Sequence, residues 1–183
     1  MNYPVTMQDL IRLYGIDNIV LFPQAPDVTQ GTTASYLASV GLPHDRVFTS
    51  RTNPEGKRVP FEVGPRRDLT GDTYPPESRN WHVLGYLPAA LVAIDPSSGK
   101  IYAFPEGDSE YQLLHRDVQS LVFCLAEFNK VDKIYRAAYP DTPDVEALVE
   151  EFRETISAVD ATPFENAESE WNRILDEILD EMW

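Results

Sequence analysis

The segment from Trp81 to Phe104 limits the fold more than any other part of the chain. It holds three apolar runs, Trp81-His82-Val83-Leu84-Gly85-Tyr86, Ala90-Leu91-Val92-Ala93-Ile94 and Lys100-Ile101-Tyr102-Ala103-Phe104. These are rich in the β-branched and aromatic residues that suit a pleated, half-buried surface. The last two flank Asp95-Pro96-Ser97-Ser98-Gly99. Proline at the second turn position and glycine at the end fit a type I turn, so the two runs are expected to pair as an antiparallel hairpin. Tyr111-Gln112-Leu113-Leu114 offers one more strand. A central antiparallel sheet is the expectation.

From Asp117 the apolar period changes from two to that of a helix. Val118, Leu121, Val122, Leu125 and Phe128 recur at helical spacing behind Asp117 as a cap. After a turn region with Pro140, Thr142 and Pro143, a second amphipathic helix is marked by Val145, Leu148, Val149, Phe152, Ile156 and Val159. Pro163 breaks the following stretch, and Trp171, Ile174, Leu175, Ile178, Leu179 and Met182 stripe a terminal helix. Strands in the middle and helices at the end predict an α+β class with flanking helices and an acidic C-terminal helical region.

Two short helices are expected before the sheet. One begins at Thr6, whose hydroxyl can cap the turn containing Asp9, and stops at Gly15. The other runs from Thr32 or Thr33 to Val40, ended by Gly41 and Pro43. Residues 50–80 interleave five prolines with six Lys and Arg residues and read as loop, with an edge strand at Pro60-Phe61-Glu62-Val63. This is the only basic stretch.

At 183 residues the chain is long enough to bury its own core, and one domain spanning 1–183 is expected. The single cysteine, Cys124, permits no internal disulfide, which favours a reducing compartment. The start lacks a signal-peptide pattern, and no apolar run approaches the roughly 18 residues of a membrane span. A cytoplasmic location is the expectation.

Charge is unevenly distributed. Residues 101–183 hold 20 Asp and Glu against 6 Lys and Arg, so nearly all of the net −15 lies there. Between 141 and 183 the ratio is 14 to 2. A localised acidic surface attracts basic partners and repels nucleic acid and anionic membranes. Glu146, Glu150, Glu151 and Glu154 fall opposite the apolar stripe of their helix. A solvated face accounts for any one of them, but not for the scarcity of Lys and Arg, since mixed signs would gain i,i+4 pairs. These four are therefore candidate partner-binding residues, with Tyr135, Tyr139 and Trp183 as candidate aromatic anchors.

Catalytic patterns are missing. His115-Arg116-Asp117 matches the opening of a kinase catalytic loop, but the required Asn is Val122, and no glycine-rich phosphate loop accompanies it. His44, His82 and His115 are far apart in sequence, without His-Glu-x-x-His or a cysteine pair, so neither a metal nor a cofactor is expected. Each histidine reads as a surface or half-buried polar residue. A hydrolase would require His82 and His115 to converge with acids in one pocket.

Several segments in order resemble a known family. They are Tyr36-Leu37-Ala38-Ser39-Val40-Gly41-Leu42-Pro43, the Ile94-to-Tyr102 hairpin, a helix containing Ser120-Leu121 and ending near Phe128, an acidic helix closing on Val159-Asp160, and Trp171 opening the last helix. This order, over roughly residues 28–180, resembles the fourth group of the SUKH superfamily of bacterial immunity proteins. The resemblance implies an α+β fold and a non-enzymatic role. The chain would bind and neutralise a polymorphic toxin, a nuclease or nucleic-acid deaminase, with no small-molecule substrate, direct nucleic-acid contact or membrane. An intracellular scaffold or regulatory module of the same fold is the alternative. Gly85-Tyr86-Leu87-Pro88-Ala89-Ala90 stands where relatives commonly carry a glycine-rich turn, so local geometry there is expected to differ.

Overall fold

The Asp95–Gly99 turn forms as its residues require. The Asp95 carboxylate accepts hydrogen bonds from the Ser97 N–H at 2.9 Å and from the Ser97 and Ser98 hydroxyls, the Gly99 N–H donates to the Asp95 carbonyl at 2.8 Å, and Gly99 takes φ +75°. That conformation suits glycine, which has no Cβ to clash. The turn joins β5 (Ala90–Ile94) to β6 (Ile101–Pro105) in the register Ile94↔Ile101 through Ala90↔Pro105. A computed structural model describes residues 3–22, 31–51, 61–138 and 144–183.

The hairpin lies inside a five-stranded antiparallel sheet. Its order is β3 (Thr49–Ser50), β4 (His82–Leu87), β5, β6, β7 (Gln112–His115). A two-stranded sheet pairs β1 (Ile19–Val20) with β2 (Leu42–Pro43). The β4–β5 turn is Pro88-Ala89, and neither residue has positive φ, so the departure noted in the sequence replaces a glycine-type turn by a proline-started one. Gly85 has its own reason: a Cβ there would sit 2.6 Å from the Thr49 carbonyl oxygen and 2.7 Å from the Phe48 ring.

Side chains alternate between two cores. On one face Ala90, Val92, Ile94, Ile101, Ala103 and Leu114 join the large helical core; on the other Val83, Leu91, Ala93 and Phe104 pack with Val63 and Trp81. This period of two is the signature of a sheet covered on both sides. The inner face is covered by α1 (Met7–Tyr14), α2 (Thr32–Ser39), α4 (Val118–Ala138), α5 (Val145–Ser157) and α7 (Glu170–Leu179), which together with a short α6 (Thr162–Glu165) complete that side. The class is α+β. α1 carries the expected capping box, Thr6 with Asp9, and ends at Gly15. In α7, Trp171, Ile174, Leu175 and Ile178 are buried, whereas Leu179 is 40% exposed and leaves the stripe.

Two expectations need correction. The edge strand placed at Pro60–Val63 is instead the start of a helix, α3 (Val63–Thr70). Of that strand there remain an isolated Glu62↔His82 bridge and its two flanking bonds, Val83 N–H to the Phe61 carbonyl at 2.7 Å and Val63 N–H to the Trp81 carbonyl at 2.9 Å, and Pro60 lies outside the described residues. Pro65 falls in the first turn, where the missing N–H is not needed, so it does not oppose the helix. The helix expected to end near Phe128 runs on to Ala138. Its continuation is polar, but Lys130–Glu127 at 2.6 Å and Arg136–Asp132 at 3.1 Å are i,i+3 and i,i+4 pairs that support it.

Candidate functional site

The acidic face is built by two amphipathic helices. α5 starts at Asp144, whose carboxylate accepts from the Ala147 N–H, and buries Val149, Phe152 and Ile156. That rotation leaves Glu146, Glu150, Glu151 and Glu154 exposed. Glu146, Glu150 and Glu154 are four residues apart and so form one line of like charge, an arrangement that costs a few tenths of a kcal/mol per pair (about 0.2–0.5) in an isolated helix. α7 is capped by the Ser169 hydroxyl and exposes Asp176, Glu177, Asp180 and Glu181 at its end.

Between the two helices runs a groove of about 670 Å³. Val145, Val149 and Leu179 provide apolar lining, and Asp144, Glu146, Glu150, Asp180 and Glu181 provide carboxylates. The one base in its wall, Arg153, is turned to internal work: its guanidinium donates to Asn172 Oδ1 and lies 5.2 Å from the Phe164 ring centroid. Arg173 is likewise tied to Glu170 at 3.1 Å. The negative potential along this face is therefore little neutralised from within.

The candidate anchors are placed differently. Tyr135 is half-buried and packs against the helical core. Tyr139 lies outside the described residues. Trp183 is half-buried, donates its indole N–H to Asp132 Oδ1 at 2.9 Å, meets Phe128 edge-on, and carries the Arg46 guanidinium 4.4 Å from its ring centroid. Arg46 also pairs with Asp132. Burial would raise the Asp132 carboxyl, but hydrogen bonds from Arg46, Trp183 and Arg136 together hold it below the usual range.

The histidine expectation fails for His115, which is fully buried, and for His82, which is 8% exposed. They do not converge. His82, Ile94, Ile101 and His115 form one cross-strand row, which puts the two histidines three strand spacings, or about 14 Å, apart.

His115 instead organises a buried network. Trp171 Nε1 donates to His115 Nε2 at 2.9 Å, so the other ring nitrogen carries the proton and faces the Ser120 hydroxyl at 2.9 Å and Asp160 Oδ2 at 3.5 Å. Asp160 also accepts from the Ser120 hydroxyl, the Arg116 N–H at 3.0 Å and the Thr162 N–H at 3.1 Å. Burial pushes the imidazole pKa down, against the pull of Asp160. Burial would raise the Asp160 carboxyl, but hydrogen bonds from His115, Ser120, Arg116 and Thr162 outweigh it and hold the group well below the carboxylate range. The pair is thus a neutral imidazole beside a carboxylate. Both side chains are buried, and the network ties α4, α7 and the chain just after α5 to one another.

Other chemistry is sparse among the described residues. No group of three His, Cys, Asp or Glu side chains is arranged to hold a metal ion, and no helix is long and apolar enough to cross a membrane. Burial raises the Cys124 thiol well above its ordinary pKa, so it stays protonated and inert.

Residues 5–177 match the family described as SUKH-4 immunity protein. The chain belongs to the SUKH-4 immunity protein family. No curated protein and no solved structure matches it. Membership in SUKH-4 supports a role in toxin immunity and gives a meaning to the buried network. Ser120, Asp160 and Trp171, which stand in three separate segments carrying the family resemblance, meet around His115.

Proposed function

We propose that this immunity protein neutralises a basic, nucleic-acid-targeting toxin, a nuclease or deaminase, by covering its substrate groove with the α5–α7 acidic face. The observation that carries the proposal is the groove itself: five carboxylates line it, and its one base is engaged internally. A surface that presents carboxylates in place of phosphates competes for the same cationic groove, and complementary charge speeds encounter. Glu146, Glu150, Glu151 and Glu154 form the steering rim. Tyr135, Tyr139 and Trp183 are the proposed aromatic contacts. Binding in the cytoplasm, without catalysis and without contact to nucleic acid or membrane, completes the proposal.

The test is association kinetics with the toxin domain encoded by the adjacent reading frame, for the wild type and for a variant with all four glutamates changed to Lys. At low salt the variant's on-rate should fall at least about tenfold while its off-rate changes less. The wild-type on-rate should drop as the Debye length shrinks from about 10 Å at 0.1 M to about 3 Å at 1 M salt. Equal on-rates at low salt would remove α5 from the interface.

A further inference from the structure

The opposite side of the sheet carries a different kind of site. Tyr86, Leu91 and Phe104 are cross-strand partners on β4, β5 and β6 and make one row across the outer face. Two consecutive arginines of α3 lie over the ends of that row, Arg66 at 5.1 Å from the Tyr86 ring centroid and Arg67 at 5.7 Å from that of Phe104. At its start α3 packs closely on the turn at Arg79 because Gly64 has no side chain: a Cβ would fall 2.4 Å from Arg79 Cγ. The helix, the row and the Pro88-Ala89 turn enclose a cavity of about 300 Å³, at the small end of ligand-sized pockets.

Arg67 is 7% exposed, an unusual burial for a guanidinium. Its own helix end explains part of its environment. The Arg67 carbonyl accepts from the Gly71 and Asp72 N–H groups, and this turn returns the Asp72 carboxylate to 3.4 Å from Arg67 Nη1. Arg67 Nε, in contrast, is buried with no hydrogen-bond partner among the described residues. Four charged groups line the cavity, Arg66 and Arg67 against Asp72 and Glu106. With Asp72 beside Nη1, the Nε edge is the part of this guanidinium left without a partner, and the Asp72 and Glu106 carboxylates in the lining disfavour a ligand of multiple negative charge.

We propose that this cavity binds a monocarboxylate with an apolar body, its carboxylate received by the Nε edge of Arg67 and its body laid on Leu91 and Phe104. A planar guanidinium edge matches a carboxylate in two parallel hydrogen bonds, which a lysine ammonium does not reproduce. The site is remote from the acidic groove and does not depend on the toxin assignment. The carboxylate belongs either to a free small acid or to the C-terminal end of a polypeptide.

The experiment is an NMR titration of the full chain that follows the arginine Nε–H signals, with the Arg67 signal assigned by its loss in Arg67→Lys. The probes are hexanoate, benzoate, hexanamide, citrate, and the peptide acetyl-Ala-Leu-Phe with a free or amidated C-terminus. Hexanoate or benzoate should move the Arg67 signal with a dissociation constant on the order of 1 mM, as expected for fragment-sized ligands. Hexanamide, the amidated peptide and citrate should leave it in place. Ala89→Trp, at an exposed turn position, should weaken carboxylate binding at least about tenfold without touching either arginine. Tighter binding of the free-acid peptide than of hexanoate assigns the site to a chain end, and the reverse assigns it to a small acid. An Arg67 signal unmoved by 20 mM carboxylate, a value about twentyfold above the expected constant, would overturn the proposal, as would equal shifts with hexanamide or undiminished binding by Ala89→Trp.

Discussion

Asp160→Ala is the most informative single perturbation of this fold, because one carboxylate serves four donors from three segments. Its removal strands the Arg116 N–H and the Thr162 N–H, both partly buried, and the buried Ser120 hydroxyl; His115 keeps only Ser120 as the partner of its protonated nitrogen. At about 1 kcal/mol for each partly buried N–H and about 1–3 kcal/mol for the hydroxyl and the weakened imidazole contact together, the loss sums to about 3–5 kcal/mol. That is a large share of the roughly 5–15 kcal/mol that holds a domain together. For a chain of this size each kcal/mol moves the melting temperature by about 2–4 °C, so a fall of about 6–20 °C is expected. Urea unfolding followed by circular dichroism and tryptophan fluorescence should show a lower midpoint at unchanged slope. Asp160→Asn, which keeps one acceptor, should lose about half as much. In a double-mutant cycle, Ser120→Ala should still cost about 1–3 kcal/mol once Asp160 is gone, because it takes away the last acceptor for the buried His115 N–H. If Asp160→Ala unfolds within about 1 kcal/mol of the wild type, the network is decorative and the reasoning fails.

The same network sets a pH dependence. Because the folded-state pKa of His115 lies below its unfolded value of about 6.5, unfolding takes up a proton below that pH. Stability should therefore fall from pH 7 to pH 5 with a slope of up to about 1.4 kcal/mol per pH unit, and His115→Gln should flatten that slope in equilibrium unfolding measured across the range. Asp160 acts in a separate window: its folded pKa is depressed, so its contribution is present above about pH 4 and is lost only as pH falls below that toward the folded value. Trp171 is fully buried, so Trp171→Ala should cost about 3–5 kcal/mol by cavity formation, whereas Trp171→Phe should cost about 1–2 kcal/mol through the unpaired His115 Nε2; a Trp171→Phe variant as stable as the wild type in calorimetry would deny the indole N–H any role.

What the sequence revealed and what it concealed follow from the range of the interactions involved. The Asp95–Gly99 hairpin, the Thr6–Asp9 capping box and the stripes of α5 and α7 rest on neighbours within a few residues, and their patterns were readable. α3 is concealed because Gly64, Pro65 and Asp68 have little intrinsic preference for helix. Its apolar contact is limited to Val63 and the stem of Arg67, and it is held by the sheet beneath it and by the turn at Arg79. The sequence makes His115 look like a surface or half-buried group for a similar reason. The partners that make its burial tolerable are Trp171 and Asp160, 56 and 45 positions away, and no local pattern announces them. The orphaned Nε of Arg67 was equally invisible, since proline and arginine interleaved over residues 50–80 read as loop. The acidic face was legible as composition, and folding added a groove with Arg153 withdrawn from it.

The two-sided covering of the sheet also divides the protein optically. Its three tryptophans are Trp81, Trp171 and Trp183. Trp81 belongs to the outer layer, stacked on Tyr102 at 4.4 Å between centroids and 6.0 Å from Phe104, which lines the arginine-capped cavity. Trp183 is on the helical side, under a guanidinium, two residues beyond the groove carboxylate of Glu181, while Trp171 is sealed against an imidazole. Emission from Trp81 should consequently follow changes in the outer layer, emission from Trp183 changes on the helical side around Arg46 and Asp132, and emission from Trp171 the integrity of the core between them. Single-tryptophan variants turn the molecule into its own two-channel sensor, one channel for each side of the sheet.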